Sequence, residues 1–140
     1  MGHTVLYIED DSDNSSLMKR LLERHGYQLL QAATGLEGLA IAQREEVDLI
    51  LLDINLPDID GYEVARRLRA DEESKLAHIP IIIISANVLK SDYEKAKSSG
   101  FDVYIAKPYN IDELWRQVET FVPAPKPPAR TETIDPAQRD

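Results

Sequence analysis

The reading of this chain turns on one stretch, Leu49-Ile50-Leu51-Leu52-Asp53-Ile54-Asn55-Leu56-Pro57-Asp58-Ile59-Asp60-Gly61. Its first four residues are apolar without alternation, the pattern of a strand covered on both faces, and the run stops at an acid. A second run of the same kind, Ile81-Ile82-Ile83-Ile84, ends at Ser85. It is entered through Pro80, at a position where a missing N–H is tolerated. Outward from these two strands (48–52 and 81–85), shorter apolar runs at 4–8, 27–32 and 103–105 bring the number to five.

Helical patterns fill the intervals. Segment 12–25 carries Leu17, Leu21 and Leu22, predicted to share one face, and stops at Gly26, a favourable residue just past a helix end. Thr34 with Glu37 makes a capping box for 36–44. Segment 62–70 follows Gly61, and 90–99 stops at Gly100. Asn110 with Glu113 opens 111–122, where Ile111, Leu114, Val118 and Val122 are predicted to face inward. Strand and helix alternate five times. That order predicts an α/β fold, a doubly wound five-stranded parallel sheet with helices on both faces.

At 140 residues and 15.8 kDa the chain has the length of one domain, and its 43% apolar content suffices for a core. The absence of cysteine excludes disulfides, thiolate zinc and cysteine nucleophiles. His3, His25 and His78 are too scattered for a histidine-built metal site. No apolar run approaches the roughly 18 residues of a membrane span. The chain also enters its first strand without a signal peptide, so a soluble cytoplasmic domain is expected. Sixteen basic against 25 acidic residues give a net charge of −9, which argues against direct nucleic-acid binding. Residues 123–140 hold five of the eight prolines and no apolar periodicity. The expected division is therefore a domain over 1–122 and a Pro-rich linker or disordered tail over 123–140.

In a doubly wound sheet, ligands bind beyond the carboxyl ends of the strands. Those ends carry Glu9-Asp10-Asp11 after the first strand, Asp53 after the third, Ser85 after the fourth and Lys107 after the fifth. The second strand ends in Ala32-Ala33 and adds nothing chemical. Singly, each residue has a plainer role: Asp53 a turn cap, Lys107 a surface lysine, Ser85 a strand-end hydroxyl, Glu9-Asp10 charges before a helix. Together these roles require four coincidences on one edge. Crowded carboxylates raise one another's pKa, and a divalent cation relieves them. Oxygen donors imply a hard ion, Mg²⁺ (or Mn²⁺), which takes one or two carboxylates and keeps water for a phosphoryl oxygen. A carboxylate beside such a cation and a lysine can attack phosphorus, with the serine hydroxyl donating to the transferred group.

Four motifs carry a resemblance: Val5-Leu-Tyr-Ile-Glu9-Asp10-Asp11, Leu51-Leu-Asp53-Ile-Asn55-Leu-Pro57-Asp-Ile-Asp60-Gly61, Ile83-Ile-Ser85-Ala86 and Tyr104-Ile-Ala-Lys107-Pro108. In this order and spacing the chain resembles, over 3–122, the receiver domains of two-component response regulators. The run Leu76-Ala-His-Ile-Pro80 is similar to short single-domain regulators of bacterial cell-cycle signalling. The resemblance implies a flavodoxin-like sheet in the order 2-1-3-4-5. It makes Asp53 the acceptor of a phosphoryl group from a phosphohistidine on a sensor histidine kinase or phosphotransfer protein. Asp10 would bind the cation directly, Glu9 through water, and Asn55 through its backbone carbonyl. Ser85, Ala86 and Lys107 would contact the phosphoryl group, and the Lys107–Pro108 bond would be cis. Ser85 and Tyr104 would form a switch pair that reshapes the face of 90–99, the fifth strand and the last helix.

Expected partners are that phosphodonor, a downstream protein or an attached output domain, and a phosphorylation-dependent second copy. The chain would catalyse only its own phosphorylation and dephosphorylation. A competing reading is an aspartyl-phosphate-forming phosphatase on a similar fold. Such an enzyme needs an acid two residues after the nucleophile, where this chain has Asn55. A flavodoxin-like cofactor binder would need a phosphate-cradling first loop, and acids occupy that place.

Overall fold

The computed structural model describes residues 3–70, 74–86, 94 and 97–122. Five parallel strands form one sheet: β1 (Thr4–Ile8), β2 (Gln28–Ala32), β3 (Leu49–Asp53), β4 (Ile81–Ser85) and β5 (Val103–Ala106). Their order is β2-β1-β3-β4-β5. The helices are α1 (Ser12–Arg24), α2 (Gly35–Arg44), α3 (Gly61–Ala70) and α4 (Ile111–Phe121). A 3-10 turn, Lys75–His78, leads into β4. Of the segment 90–99, residue 94 and residues 97–99 are helical, and the rest lies outside the described residues, as does the segment 123–140.

The continuous apolar runs are the central strands. Every residue of β3 and of β4 is buried. Each strand sends alternate side chains to opposite faces. Leu6, Ile8, Ile50, Leu52, Ile81 and Ile83 therefore join the core beneath α2 and α3. Val5, Tyr7, Leu49, Leu51, Ile82 and Ile84 join the core beneath α1 and α4.

Two helices sit differently from expectation. In α1 the buried residues are Ser15, Met18 and Leu22, while Leu17 is 55% exposed. Leu17 and Leu21 share a stripe with i,i+4 spacing, but the sheet lies under the neighbouring stripe of Met18 and Leu22. In α4, Leu114, Val118 and the following Val122 are buried, and Ile111 at the first position is 39% exposed. Ile111 instead lines a surface groove with Leu17 and Leu21. The helix ends follow the sequence signals. Gly26 and Gly100 adopt φ of 91° and 90°, where a side chain would strain the backbone. Thr34 caps Glu37 N–H, and Glu37 reaches back to Ala33 N–H, one residue before the usual reciprocal partner.

Arg69, near the end of α3, ties three segments together. It donates to the carbonyls of Gly100 (2.9 Å) and Leu76 (3.1 Å) and to Asp102 Oδ2 (2.9 Å). That carboxylate also accepts the Ile81 N–H at the start of β4.

Candidate functional site

Register brings the four strand ends together. Ile8 pairs with Leu52, which sets Glu9 beside Asp53. Asp53 pairs with Ile84, one step before Ser85, and Ser85 pairs with Ala106, one step before Lys107. The Lys107 N–H donates to the Ser85 carbonyl at 2.8 Å, continuing the ladder past the end of β5.

Asp53 is 2% exposed and is held at both oxygens. Lys107 Nζ donates to Oδ2 at 2.6 Å, and the Asn55 N–H donates to Oδ1 at 2.7 Å. Glu9, 4% exposed, is held likewise. Tyr7 Oη donates to Oε1 at 3.2 Å, and the Asp11 N–H donates to Oε2 at 3.2 Å. Lys107 Nζ stands 3.6 Å from Glu9 Oε1, so one ammonium serves two carboxylates. Burial first, then the neighbouring Asp53, push the Glu9 carboxyl above its ordinary range, with Asp11 N–H and Lys107 pulling partly back. Burial pulls Lys107 down, but the hydrogen bond to Asp53 and the two carboxylate charges outweigh it and leave the ammonium raised. Burial, and then the charge of Glu9, raise the Tyr7 phenol, which stays a neutral donor.

Ser85 is fully buried, and Ala86 beside it is exposed. Ala86 lines a cleft with Tyr7, Lys107, Pro108 and Tyr109. The Lys107–Pro108 peptide is cis. Asp10 is exposed at the mouth of a second cleft, which it shares with Glu9, Ser15 and Gln31. Tyr104, half-buried in β5, packs edge-on to Phe101 with ring centroids 6.1 Å apart.

Not every acid of the quoted motifs reaches the site. Asp11 caps α1 by accepting from Asp13 and Asn14 N–H. Asp60 accepts the Glu63 N–H at the start of α3. Asp58 accepts from the first two N–H groups of α2. Tyr7 is a site residue that the motif reading passed over. Its position two residues before Glu9, on the same face of the strand, is the signal that could have found it.

The donor set fits a hard cation. Two buried carboxylates share one ammonium, which leaves the pocket short of positive charge, and its available ligand atoms are oxygens. Among the described residues no three His, Cys, Asp or Glu side chains close into a metal cage. A Mg²⁺ site does not need one, because it takes one or two carboxylates and completes its shell with carbonyl oxygen and water.

Comparison with known proteins points the same way. The family model of the response regulator receiver domain matches residues 5–119. The polar-differentiation response regulator DivK of Brucella ovis is 36% identical over 122 residues, covering 87% of this chain and 98% of that protein. Among solved structures, the receiver domain of sensor histidine kinase PA1611 from Pseudomonas aeruginosa PAO1 is 34% identical with a TM-score of 0.78, covering 86% of this chain and 98% of that one. It carries a magnesium ion coordinated in its active site cleft. The chemotaxis protein CheY4 of Vibrio cholerae is 25% identical with a TM-score of 0.79, covering 87% and 100%. Among the described residues no helix is long and apolar enough to cross a membrane.

Proposed function

Because the chain belongs to the response regulator receiver domain family, the phosphoacceptor signalling modules of two-component systems, we propose that Asp53 is its phosphoacceptor. Glu9, Asp10, Asp53 and the Asn55 carbonyl would hold Mg²⁺ (or Mn²⁺) beside it, by analogy with the magnesium-bearing cleft of the Pseudomonas receiver. The observation that carries this reading is the buried Asp53 carboxylate, oriented at both oxygens by Lys107 Nζ (2.6 Å) and Asn55 N–H (2.7 Å).

The phosphodonor is a phosphohistidine on a sensor histidine kinase or phosphotransfer protein. An Asp53 oxygen forms its bond to phosphorus as the N–P bond breaks, and the imidazole leaves with the electron pair and takes a proton. Pre-set orientation of the carboxylate removes the entropy cost of aligning it during attack. Lys107 turns to a phosphoryl oxygen, while the Ser85 hydroxyl and the Ala86 N–H meet the others. When bound, the cation offsets charge on the transferring group. The chain's only catalysis is its own phosphorylation and dephosphorylation.

The acquired phosphate adds roughly one to two negative charges at this edge. Ser85 moves toward it and Tyr104 follows, and the face of β5 and α4 changes shape. A downstream protein, a second phosphorylated copy or an output domain reads that face. Residues 1–122 would act as the receiver and 123–140 as a Pro-rich linker or tail, in the cytoplasm. The phosphatase alternative finds no support among the relatives, and the acid it requires is replaced by Asn55.

The test is incubation with acetyl phosphate and Mg²⁺. Wild-type protein should gain the mass of one phosphoryl group, and Asp53→Asn should gain none because a carboxamide is too poor a nucleophile. Undiminished incorporation in Asp53→Asn would move the site elsewhere.

A further inference from the structure

The first N–H groups of any helix have no partner within it. In α2 these are the N–H groups of Gly35, Leu36 and Glu37. Thr34 Oγ1 takes that of Glu37 at 3.0 Å. The other two go to a residue 23 and 22 positions later: Asp58 Oδ1 accepts from Gly35 and Oδ2 from Leu36, both at 2.8 Å. A carboxylate at a helix N-terminus is also favoured by the dipole, and these N–H groups hold Asp58 below the usual carboxylate range.

Asp58 stands at the far end of the loop that leaves Asp53. The Gly61 N–H closes that loop on the Ile54 carbonyl at 3.0 Å. A Cβ at Gly61 would fall 2.6 Å from the Asp53 carbonyl oxygen, so the closure is tight against backbone. The loop also packs on the helix, since a Cβ at Gly35 would meet Ile59 Cγ1 at 2.7 Å. One turn further, a Cβ at Gly38 would run into Ile8 Cδ1. Helix α2 is therefore seated on the residue before Glu9 and clasped to the loop that carries Asn55.

We propose that Asp58 is a positioning residue of the phosphoacceptor site: by clasping the loop after Asp53 to the N-terminus of α2, it sets where the Asn55 carbonyl stands relative to Glu9 and Asp10. The inference rests on the reading of Asp53 and its cation given above. An Asp58 that merely capped α2 would stabilise the helix and leave the cleft unchanged.

Thr34 provides the comparison, because Thr34→Ala weakens the same helix end without touching the loop. Two quantities are measured on the full chain: Mg²⁺ affinity by calorimetry, and the amide resonances of Asn55 and Leu56 without metal. Asp58→Ala should lower Mg²⁺ affinity about tenfold, in the range found when groups supporting metal ligands are removed. Thr34→Ala should leave the affinity as it is, and Asp58→Asn, which keeps one acceptor oxygen, should fall between. The Asn55 and Leu56 amides should move in Asp58→Ala and stay in place in Thr34→Ala. Equal losses of affinity in Asp58→Ala and Thr34→Ala would overturn the proposal. Absence of Mg²⁺ binding by the wild type would overturn the cation reading instead. The metal-free amides would then decide the clasp alone, and unmoved Asn55 and Leu56 resonances would refute it.

Discussion

Tyr7 shows how much a single hydroxyl does at this edge. Its ring is 1% exposed among apolar neighbours, while its oxygen is spent on Glu9. Removal of a hydrogen bond to a buried charged group costs more than removal of a neutral one, about 1.5–3 kcal/mol. Tyr7→Phe should therefore lose about 1.5–3 kcal/mol of stability in denaturant melts without metal. A change within about 0.5 kcal/mol, typical of surface substitutions, would mean that Lys107 and Asp11 N–H suffice for Glu9. The residues that sequence reasoning found are those standing at strand ends, where position and chemistry coincide: Glu9, Asp53, Ser85 and Lys107. Tyr7 escaped because a tyrosine inside an apolar run looks like core, which its ring is. Asp58 escaped because its partners lie at Gly35 and Leu36, and nothing local marks a bond across that separation.

At the level of elements, the strands were legible because β3 and β4 are apolar throughout, and burial on both faces demands just that. Helix boundaries were legible through Thr34, Asn110, Gly26 and Gly100, whose caps and positive φ values act locally. Helix rotation was not. Leu17 and Leu21 satisfy a 3.6-residue period as well as Met18 and Leu22 do, and only the sheet's position chooses between the stripes. The choice has a measurable consequence. Met18→Ala should destabilise the protein by about 2–5 kcal/mol through the cavity it leaves. Leu17→Ala should stay within about 0.5 kcal/mol. Denaturant melts with equal losses for the two would place α1 in the wrong rotation.

Across the whole molecule the two sheet edges do different work. The carboxyl edge gathers the buried carboxylates and the ammonium of the site, whereas the amino edge is fastened by the Arg69–Asp102 pair and by aromatic contacts. His25 stacks on Trp115 with centroids 3.8 Å apart, and Tyr27 meets the same indole edge-on. The Tyr27 hydroxyl donates to the Val122 carbonyl, which ties the end of α4 to the entry of β2. Burial, then the charge of Glu119, push the Tyr27 phenol from 10.0 up to about 12. The folded chain thus keeps a proton that the unfolded chain releases first. This contribution is complete below 10 and is lost as the pH climbs to about 12. Tyr27→Phe should cost about 1 kcal/mol at neutral pH and show a shallower decline in melting temperature over that alkaline window. An unchanged decline would assign it to other groups.

The proposed signal would run through the same architecture, from Asp53 through Ser85 to the face of β5 and α4. Beryllofluoride on Asp53 should shift amides across that face in the wild type and shift them less in Ser85→Ala. Equal shifts would show that the hydroxyl does not couple the two. The central claim, that Asp53 carries the phosphoryl group, is tested most directly by phosphorylating the protein from a phosphohistidine donor with Mg²⁺ and trapping the product with borohydride. Reduction converts an aspartyl phosphate to homoserine at the modified position. Peptide mass mapping should find that conversion at Asp53 alone. Conversion at another acid, such as Asp10 or Asp58, or none despite phosphate incorporation, would contradict the account.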